Sequence, residues 1–182
     1  MIKTYDNFLT ETECSHFINN IHKKPLTNKH CFTNSGIFEN DMYTDQWQAD
    51  FFCQKLKTLD ANPDFIKANK LIMTAKYTDG KQFSLHTDTG LYYNRDDRLK
   101  SRYTMLIYLN DDYEGGKTSF YTDTFKHTQD IIPKAGRCLL FDIDLWHKGC
   151  PVTNGTKYWI GCEIIGKMRT VSPAMFAQPM NQ

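Results

Sequence analysis

Hydrophobic positions along the chain change their spacing near residue 70. Before that point they recur at helical intervals. Thr10-x-x-Glu13 forms a capping box, and Phe17, Ile18 and Ile21 follow it on one helical face. Lys23-Lys24-Pro25 then breaks the pattern, because proline ends a helix. This pattern predicts a first helix over residues 10–23.

A second apolar series at helical spacing comprises Trp47, Phe51, Phe52, Leu56 and Leu59. It follows Thr44-Asp45, which supplies a capping side chain, and it stops before Asn62-Pro63. The series predicts a second, longer helix. The segment before it, which includes Glu39 and Tyr43, is expected to be irregular.

From Leu71 onward, apolar residues fall in short runs of the type that forms β-strands, at 71–77, 82–87, 103–109, 118–121, 129–132, 137–143 and 156–165. Turn sequences separate them, among them Asp79-Gly80, Gly115-Gly116, Pro133-x-x-Gly136 and Asn154-Gly155. Seven or eight antiparallel strands at this spacing predict a sandwich, jelly roll or barrel, with the two helices covering one sheet face.

Composition and charge limit the class of protein. The chain has 182 residues, which is enough for one domain. Because 40% of its residues are hydrophobic and 14% are aromatic, the composition excludes a disordered chain. Twenty-two basic residues against 21 acidic ones leave a net charge of +1. No overall field therefore attracts nucleic acid or an anionic membrane.

The cysteines and the N-terminal residues bear on the compartment. Six cysteines occur without a C-x-x-C pair, so we expect reduced, buried thiols. The first residues lack the apolar core of a signal peptide, and no apolar run of membrane-spanning length occurs. We expect a cytoplasmic monomer.

Candidate metal ligands begin with His86-Thr87-Asp88. Residues i and i+2 of a strand point to the same face, so these two side chains can hold one ion. A jelly roll would bring His147, near the end of a later strand, beside them. Two imidazoles and one carboxylate leave coordination positions open, as in non-haem Fe(II) oxygenases. The alternative for His147 is a strand-end histidine with a structural hydrogen bond.

Lys157 lies ten residues after His147. The intervening Asn154-Gly155 turn predicts a hairpin that returns Lys157 to the same wall as His147. An ammonium group facing the interior requires a bound anion, because an unpaired buried charge is costly. The alternative is a lysine on the solvent face of its strand.

Four ordered blocks carry a family resemblance: Tyr77-x-x-Gly80-x-x-Phe83-x-x-His86-x-Asp88; Tyr108-Leu109-Asn110 with Gly115-Gly116-Lys117-Thr118-Ser119-Phe120; Pro133-x-x-Gly136 leading to Leu139-Leu140-Phe141-Asp142; and His147-x-Gly149-x-Pro151-Val152-x-x-Gly155-x-Lys157. Because of these blocks, the region from Leu71 to Gly166 resembles the Fe(II)/2-oxoglutarate-dependent dioxygenases and, among them, the prolyl 4-hydroxylase-like group. Context of this kind makes a motif specific.

The resemblance implies a mainly β fold with flanking helices. Its core is a double-stranded β-helix, the cupin-like jelly roll, over residues 71–166. Residues 1–70 would form a helical N-terminal support, and residues 167–182 a C-terminal tail. Together they make a single dioxygenase domain over residues 1–182.

The resemblance also implies the chemistry. His86, Asp88 and His147 would hold Fe(II), and Lys157 would pair with the C5 carboxylate of 2-oxoglutarate. Tyr77 and Thr118 would donate hydrogen bonds to this cosubstrate. O2 and 2-oxoglutarate would be converted to succinate and CO2 while an unactivated C–H bond is hydroxylated. Ascorbate, bound as a reductant, completes the expected cofactors.

The substrate is the open part of the resemblance. A peptide or protein residue such as proline is the first candidate, but Glu163 stands where this group often carries Trp, six residues after the lysine. We expect residues 89–102 to form a loop over the substrate. The candidate substrate residues are Tyr92, Tyr93, Arg95, Arg102 and Glu163.

Other functions stay open. The same core serves hydroxylases of a free amino acid, another small metabolite or a nucleobase, although no basic stripe favours nucleic acid. A different class is a non-catalytic, metal-binding jelly-roll module. A zinc hydrolase is disfavoured, because the sequence contains no H-E-x-x-H.

Overall fold

The computed structural model describes residues 1–23, 39–78 and 80–168. These residues form two α-helices and fourteen β-strands, in the order β1 (Ile2–Tyr5), α1 (Glu11–Lys23), β2 (Glu39–Thr44), α2 (Gln46–Leu59), β3 (Lys67–Ala68), β4 (Leu71–Tyr77), β5 (Phe83–His86), β6 (Tyr93–Asn94), β7 (Leu99–Tyr108), β8 (Glu114–Gly115), β9 (Thr118–Tyr121), β10 (His127–Ile131), β11 (Cys138–Asp142), β12 (Trp146–Gly149), β13 (Val152–Asn154) and β14 (Lys157–Lys167).

The strands form two facing antiparallel sheets. The major sheet has eight strands in the order β1-β11-β7-β14-β4-β2, with β3 paired to β14 and β6 paired to β7. The minor sheet has the order β10-β9-β12-β5, and β13 with β8 forms a separate ribbon. Tyr108, Phe120, Leu139 and Phe141 pack together between the two sheets. The fold is the predicted one, mainly β with a jelly-roll core and flanking helices.

Both helices begin at the predicted capping residues. In the capping box, the Thr10 amide donates to Glu13 Oε2 at 2.8 Å, and the Glu13 amide donates to Thr10 Oγ1 at 3.2 Å. Asp45 Oδ1 accepts the Gln48 amide at 2.9 Å and caps α2. The local sequence therefore fixes both starting points.

The helices cover one face of the major sheet, as predicted. Phe17 of α1 and Phe52 of α2 pack in one core with Tyr103, Met105 and Ile107 of β7. Because side chains alternate along a strand, the residues between these three point to the other face. The major sheet thus has a helix-covered face and a face turned toward the minor sheet.

The first 70 residues also contribute three strands, although their hydrophobic periodicity predicts only helices. β1 pairs with β11, β2 pairs with β4, and β3 pairs with β14. The segment Glu39–Thr44, expected to be irregular, is the edge strand β2. These short, half-exposed strands have no continuous apolar run, and their pairing with distant strands decides their conformation.

Residues 89–102 do not form the predicted continuous loop. Tyr93 pairs with Lys100 and Asn94 pairs with Leu99, so β6 and the first part of β7 form a hairpin, and Arg102 lies within β7. Arg98, with φ of 54°, allows the chain to reverse between the strands. The composition suggested a loop because this hairpin is exposed and charged.

The cysteines in the described part of the chain are buried thiols, as predicted. Cys14, Cys53, Cys138, Cys150 and Cys162 are buried and free of disulfides, while Cys31 lies outside the described residues. Neither described helix has the length and apolar composition needed to cross a membrane.

Replacing Gly136 by alanine should destabilise the protein more than the same change at Gly80. Both residues have positive φ, 74° and 77°, which costs about 1–2 kcal/mol for alanine. A Cβ at Gly136 would also lie 2.2 Å from the Leu9 carbonyl oxygen. A Cβ at Gly80 would have no heavy atom within 4 Å beyond its own chain neighbours. Urea unfolding should give a loss of about 3 kcal/mol or more for Gly136→Ala. Equal losses for the two variants would contradict this account.

Candidate metal centre and anion pocket

A cavity of about 90 Å³ lies between the two sheets. Its walls come from the inward faces of both sheets and from the chain after β5. The lining residues are Met73, Tyr77, Phe83, His86, Asp88, Thr104, Leu106, Thr118, Phe141, His147, Gly149, Lys157 and Trp159. The set combines apolar walls with a few converging polar groups, as is typical of small-molecule sites.

Strand pairing brings two histidines together. β12 pairs with β5 so that His147 lies directly opposite His86, and their ring centroids are 4.2 Å apart. Asp88 lies two residues beyond the end of β5, and its amide donates to the Ile143 carbonyl at 3.1 Å. Ligand atoms of the three residues all lie within 4.8 Å of one another.

Backbone carbonyls fix the tautomers of both imidazoles. His86 Nδ1 lies 2.7 Å from the Ser84 carbonyl oxygen, and His147 Nδ1 lies 2.9 Å from that of Leu145. A carbonyl oxygen only accepts, so each Nδ1 carries the proton and each Nε2 keeps its lone pair. His86 Nε2 is buried without a hydrogen-bond partner. It is therefore available to an ion.

The protonation states also suit a cation. Burial opposes the charged form of Asp88, but the two imidazoles and the Thr104 hydroxyl outweigh it, so the pKa of this carboxyl lies below its usual range. Burial lowers the pKa of His147 despite the nearby Asp88 carboxylate. One carboxylate and two imidazole nitrogens are a donor set that fits a divalent transition metal.

Thr104 is a contact of this centre that the sequence motifs do not reveal. Its hydroxyl donates to Asp88 Oδ2 at 2.5 Å and so orients the carboxylate. In the sequence, this threonine is an ordinary strand residue. The alternation along β7 is the only signal for it, because Thr104, Leu106 and Tyr108 share the inward face.

A buried cation lies at the other end of the cavity. Lys157 is 3% exposed, and its Nζ donates to the Gly116 carbonyl at 2.5 Å. It lies 5.5 Å from the ring centre of Tyr77 and 5.1 Å from that of Tyr108. No carboxylate among the described residues pairs with it. Burial lowers the pKa of Lys157 to about 7.

Three residues that carry hydroxyl groups lie in the same region as Lys157. Tyr77 lies opposite Lys157 in the pairing of β4 with β14. Thr118 Oγ1 and the Tyr108 hydroxyl are 2.7 Å apart, and both residues are buried. Tyr108 was not among the predicted site residues, although it opens the Tyr108-Leu109-Asn110 block that carries part of the family resemblance. A cation beside hydroxyl groups is an arrangement that suits a carboxylate ligand.

The predicted hairpin between the His147 and Lys157 strands is wrong. β12 belongs to the minor sheet, β14 belongs to the major sheet, and the intervening β13 pairs with β8 instead. His147 and Lys157 therefore line the cavity from opposite sheets. The Asn154-Gly155 turn was correct, but it joins the ribbon strand β13 to β14 rather than β12.

The predicted substrate residues occupy different surroundings. Tyr93 and Arg102 line an outer groove of about 490 Å³, together with Lys100, Ser101, Asp142, Ile143, Asp144 and Met168. Arg95 is exposed in the turn between β6 and β7. The Tyr92 hydroxyl accepts from Lys67 Nζ at 3.1 Å. None of these four lines the cavity.

Glu163 lies on the inward face of β14 but outside the cavity lining, and it is 3% exposed. Its carboxylate accepts hydrogen bonds from Asn69, Leu91 and Ser101. Burial raises the pKa of this carboxyl, and the three donors act in the opposite direction.

Several solved structures share the fold. The viral collagen prolyl hydroxylase of Paramecium bursaria Chlorella virus-1, in its 2OG complex, aligns with a TM-score of 0.65 and 23% identity, over 92% of this chain and 96% of that one. A prolyl hydroxylase of Trichoplax adhaerens, in complex with a hypoxia inducible factor peptide fragment, gives a TM-score of 0.66 and 20% identity, over 91% and 83%.

Sequence comparison finds similarity over part of the chain. A PKHD-type hydroxylase of Phenylobacterium zucineum is 30% identical over 118 residues, which are 58% of this chain and 51% of that protein. The chain thus spans about half the length of this relative. The sequence pattern of the 2OG-Fe(II) oxygenase superfamily matches residues 72–162, half of the chain, and includes both histidines, Asp88 and Lys157. The chain belongs to the 2OG-Fe(II) oxygenase superfamily.

Proposed function

We propose that this chain is an Fe(II)- and 2-oxoglutarate-dependent hydroxylase that acts on a peptidyl residue, with proline as the first candidate. Membership of the superfamily implies Fe(II), 2-oxoglutarate and O2. The observation that carries the proposal is a single cavity that combines a His86-Asp88-His147 donor set with the unpaired ammonium group of Lys157. A structural metal site does not need an anion pocket beside it.

In this proposal the two imidazoles and Asp88 hold Fe(II), and the ionised carboxylate offsets part of the metal charge. The chemistry supplied by bound Fe(II), with 2-oxoglutarate and O2, is hydroxylation of an unactivated C–H bond coupled to formation of succinate and CO2. The protein holds the Nε2 lone pairs toward the ion through the Ser84 and Leu145 carbonyls. Thr104 keeps the Asp88 carboxylate from rotating.

Lys157 binds the far carboxylate of 2-oxoglutarate in this proposal. The ligand carries two negative charges, of which the metal neutralises one and the lysine neutralises the other. Tyr77 and the Tyr108–Thr118 hydroxyl pair supply hydrogen bonds near the same carboxylate. The Gly116 carbonyl orients the ammonium group before the anion arrives. The cavity therefore fixes the cosubstrate at both ends.

Aromatic rings would exclude water from the reaction. The Phe83 ring centre lies 3.9 Å from that of His86, and the Phe141 ring centre lies 4.6 Å from that of His147. Trp159 also lines the cavity. A dry site favours productive oxidation of the bound C–H group over side reactions with solvent.

Two observations favour a peptide over a small metabolite. The outer groove of about 490 Å³ is much larger than the 90 Å³ cavity. The groove lies next to the metal centre, because the carbonyl of Ile143, a residue of the groove lining, accepts a hydrogen bond from the Asp88 amide. One solved structure of the same fold holds a peptide fragment. Mass spectrometry for an added oxygen, on peptide and metabolite libraries, distinguishes this proposal from hydroxylation of a free amino acid or another metabolite.

Replacing Asp88 by alanine should abolish iron-dependent turnover and leave the fold intact. Loss of a direct ligand should reduce succinate formation by at least about 100-fold, since losing even an outer contact of a metal ligand costs about 10–100-fold. Asp50→Ala, which removes an exposed carboxylate of α2, is the matched control and should retain activity. Circular dichroism checks the fold. Substantial 2-oxoglutarate decarboxylation by Asp88→Ala would contradict the ligand assignment.

Replacing Lys157 by alanine should weaken 2-oxoglutarate binding and spare Fe(II) binding. Truncating one partner of a buried charge pair costs about 2–5 kcal/mol, so the dissociation constant should rise about 30-fold or more. Anaerobic titration of the Fe(II) protein measures it through the visible absorbance of the chelate. Lys76→Ala removes a neighbouring cation that pairs with Glu39 and should leave the affinity unchanged. An unchanged affinity in Lys157→Ala would place the lysine outside the site.

The affinity for 2-oxoglutarate should fall as the pH rises above about 7. The pKa of Lys157 in the free protein is lowered to about 7, whereas a bound carboxylate favours the charged form and raises this pKa. Binding above pH 7 therefore takes up a proton, which weakens affinity by up to about tenfold per pH unit. Below pH 7 the lysine is already charged and its contribution is constant. Lys157→Arg stays charged throughout and should remove this dependence. A wild-type profile without a decline above pH 7 would contradict the assignment.

A further inference from the structure

Glu163 is a buried carboxylate that the proposed chemistry does not use. It lies on β14, six residues beyond Lys157, and the alternation of the strand places both on the face turned toward the minor sheet. Its β7 partner in the strand pairing is Thr104, the residue that holds Asp88. Glu163 therefore lies at the metal end of the site.

The carboxylate of Glu163 is fully engaged by the protein. Oε2 accepts from Asn69 Nδ2 at 3.0 Å and from the Ser101 hydroxyl at 2.5 Å. The Leu91 amide lies 3.0 Å from Oε1 and 3.2 Å from Oε2. These bonds join β14 to the turn before β4, to β7, and to the segment that follows Asp88. A carboxylate with this many internal donors is suited to holding chain segments together rather than to binding substrate.

A β-bulge makes this network possible. Tyr103 pairs with Ile164 and Ser101 pairs with Ile165, so Arg102 has no partner in the ladder. The extra residue changes the alternation of β7, and Ser101 turns to the inward face where Glu163 lies. Bulges next to functional sites commonly redirect a side chain in this way.

The network holds residues 89–92 across β7. The Tyr92 amide donates to the Ser101 hydroxyl at 3.1 Å, and the Ser101 amide donates to the Tyr92 carbonyl at 2.9 Å. A Cβ on Gly90 would lie 3.2 Å from Ser101 Cβ and 3.7 Å from Ile143 Cδ1, so the chain lies close against both residues. The segment therefore runs from Asp88, which lines the cavity, to a position against Ser101 and Ile143, which line the outer groove.

We propose that Glu163 is a positioning residue that holds residues 89–92 as a fixed wall between the metal centre and the outer groove, so that a peptide in the groove reaches the cavity along one path. This inference rests on the proposed hydroxylase function for the role of the wall. The wall itself depends only on the contacts of Glu163. Loss of the carboxylate should release the segment and leave both sheets intact, because the apolar core lies on the other face of β14.

The test compares Glu163→Leu with Glu163→Gln in the full chain. With its amide oxygen at the Oε2 position, Gln can accept from Asn69 and Ser101, whereas Leu has no acceptor. Asp60→Leu and Asp60→Asn are matched controls, because Asp60 is a carboxylate that accepts from Lys3 and Tyr5 away from the cavity and groove.

Hydrogen exchange by mass spectrometry, on the metal-free protein, gives the first measurement. In Glu163→Leu the amides of Leu91 and Tyr92 should exchange at least about tenfold faster, since each loses its hydrogen-bond acceptor or the group that fixes it. Glu163→Gln should keep the Tyr92 amide within about threefold of wild type, because Ser101 stays in place. The Asp60 variants should show no change at the Leu91 and Tyr92 amides. Unchanged exchange in Glu163→Leu would overturn the proposal. Equal acceleration across β7 and β14 would also overturn it, because Glu163 would then support the sheet and not the segment.

Steady-state turnover of an oligoproline peptide gives the second measurement. Glu163→Leu should raise the KM for the peptide about tenfold with little change in kcat, because the wall aligns the peptide and does not take part in the oxidation. The affinity of the Fe(II) protein for 2-oxoglutarate should stay within about twofold of wild type. A fall in kcat at constant KM would overturn the positioning role. A wild-type protein that fails to oxidise the peptide would contradict the proline substrate, and the exchange measurement would still decide the role of Glu163.

Discussion

Two antiparallel sheets that face each other leave room for one layer of side chains, because their spacing is about 10 Å. Every group of the candidate site belongs to this layer or to the chain segments at its open end. His86 and His147 come from the minor sheet, and Tyr77, Thr104 and Lys157 come from the major sheet. The pleat sends the alternate residues of the major sheet into the helix-covered core. The candidate site and the helix-covered core therefore lie on opposite faces of the same strands of the major sheet.

The electrostatics of this layer explain why a ligand is needed. Lys157 and Asp88 both line one cavity. Asp88 is held by Thr104 and the imidazoles, whereas Lys157 donates to a carbonyl oxygen and pairs with no carboxylate among the described residues. A buried cation without a counterion is costly, which appears here as a lowered pKa of Lys157. A metal ion at one end and a dicarboxylate bridging to the other would balance both charges. The form of the protein in which Lys157 has no counterion is thus the form that would bind the dicarboxylate.

The open end of the layer depends on backbone irregularity rather than on regular strands. Asp88 lies just past the end of β5, and the bulge at Arg102 turns Ser101 inward. Glu163 connects the two regions through Leu91 and Ser101. The regular sheets supply a rigid base for the metal and the cosubstrate, and the irregular segments shape the approach to it.

Sequence alone determined the elements whose signals are local. The capping box at Thr10, the cap at Asp45, the strand-rich region from Leu71 and the ordered motifs around His86, Asp88, His147 and Lys157 depend on residue type and short spacing. Tertiary structure decided which of these residues meet. It placed His147 and Lys157 on opposite sheets, recruited β1 and β2 to the major sheet, and brought Thr104 to Asp88 and Leu91 to Glu163. Such contacts depend on the register between strands far apart in the chain, and a single residue's shift in register would send every side chain to the opposite face.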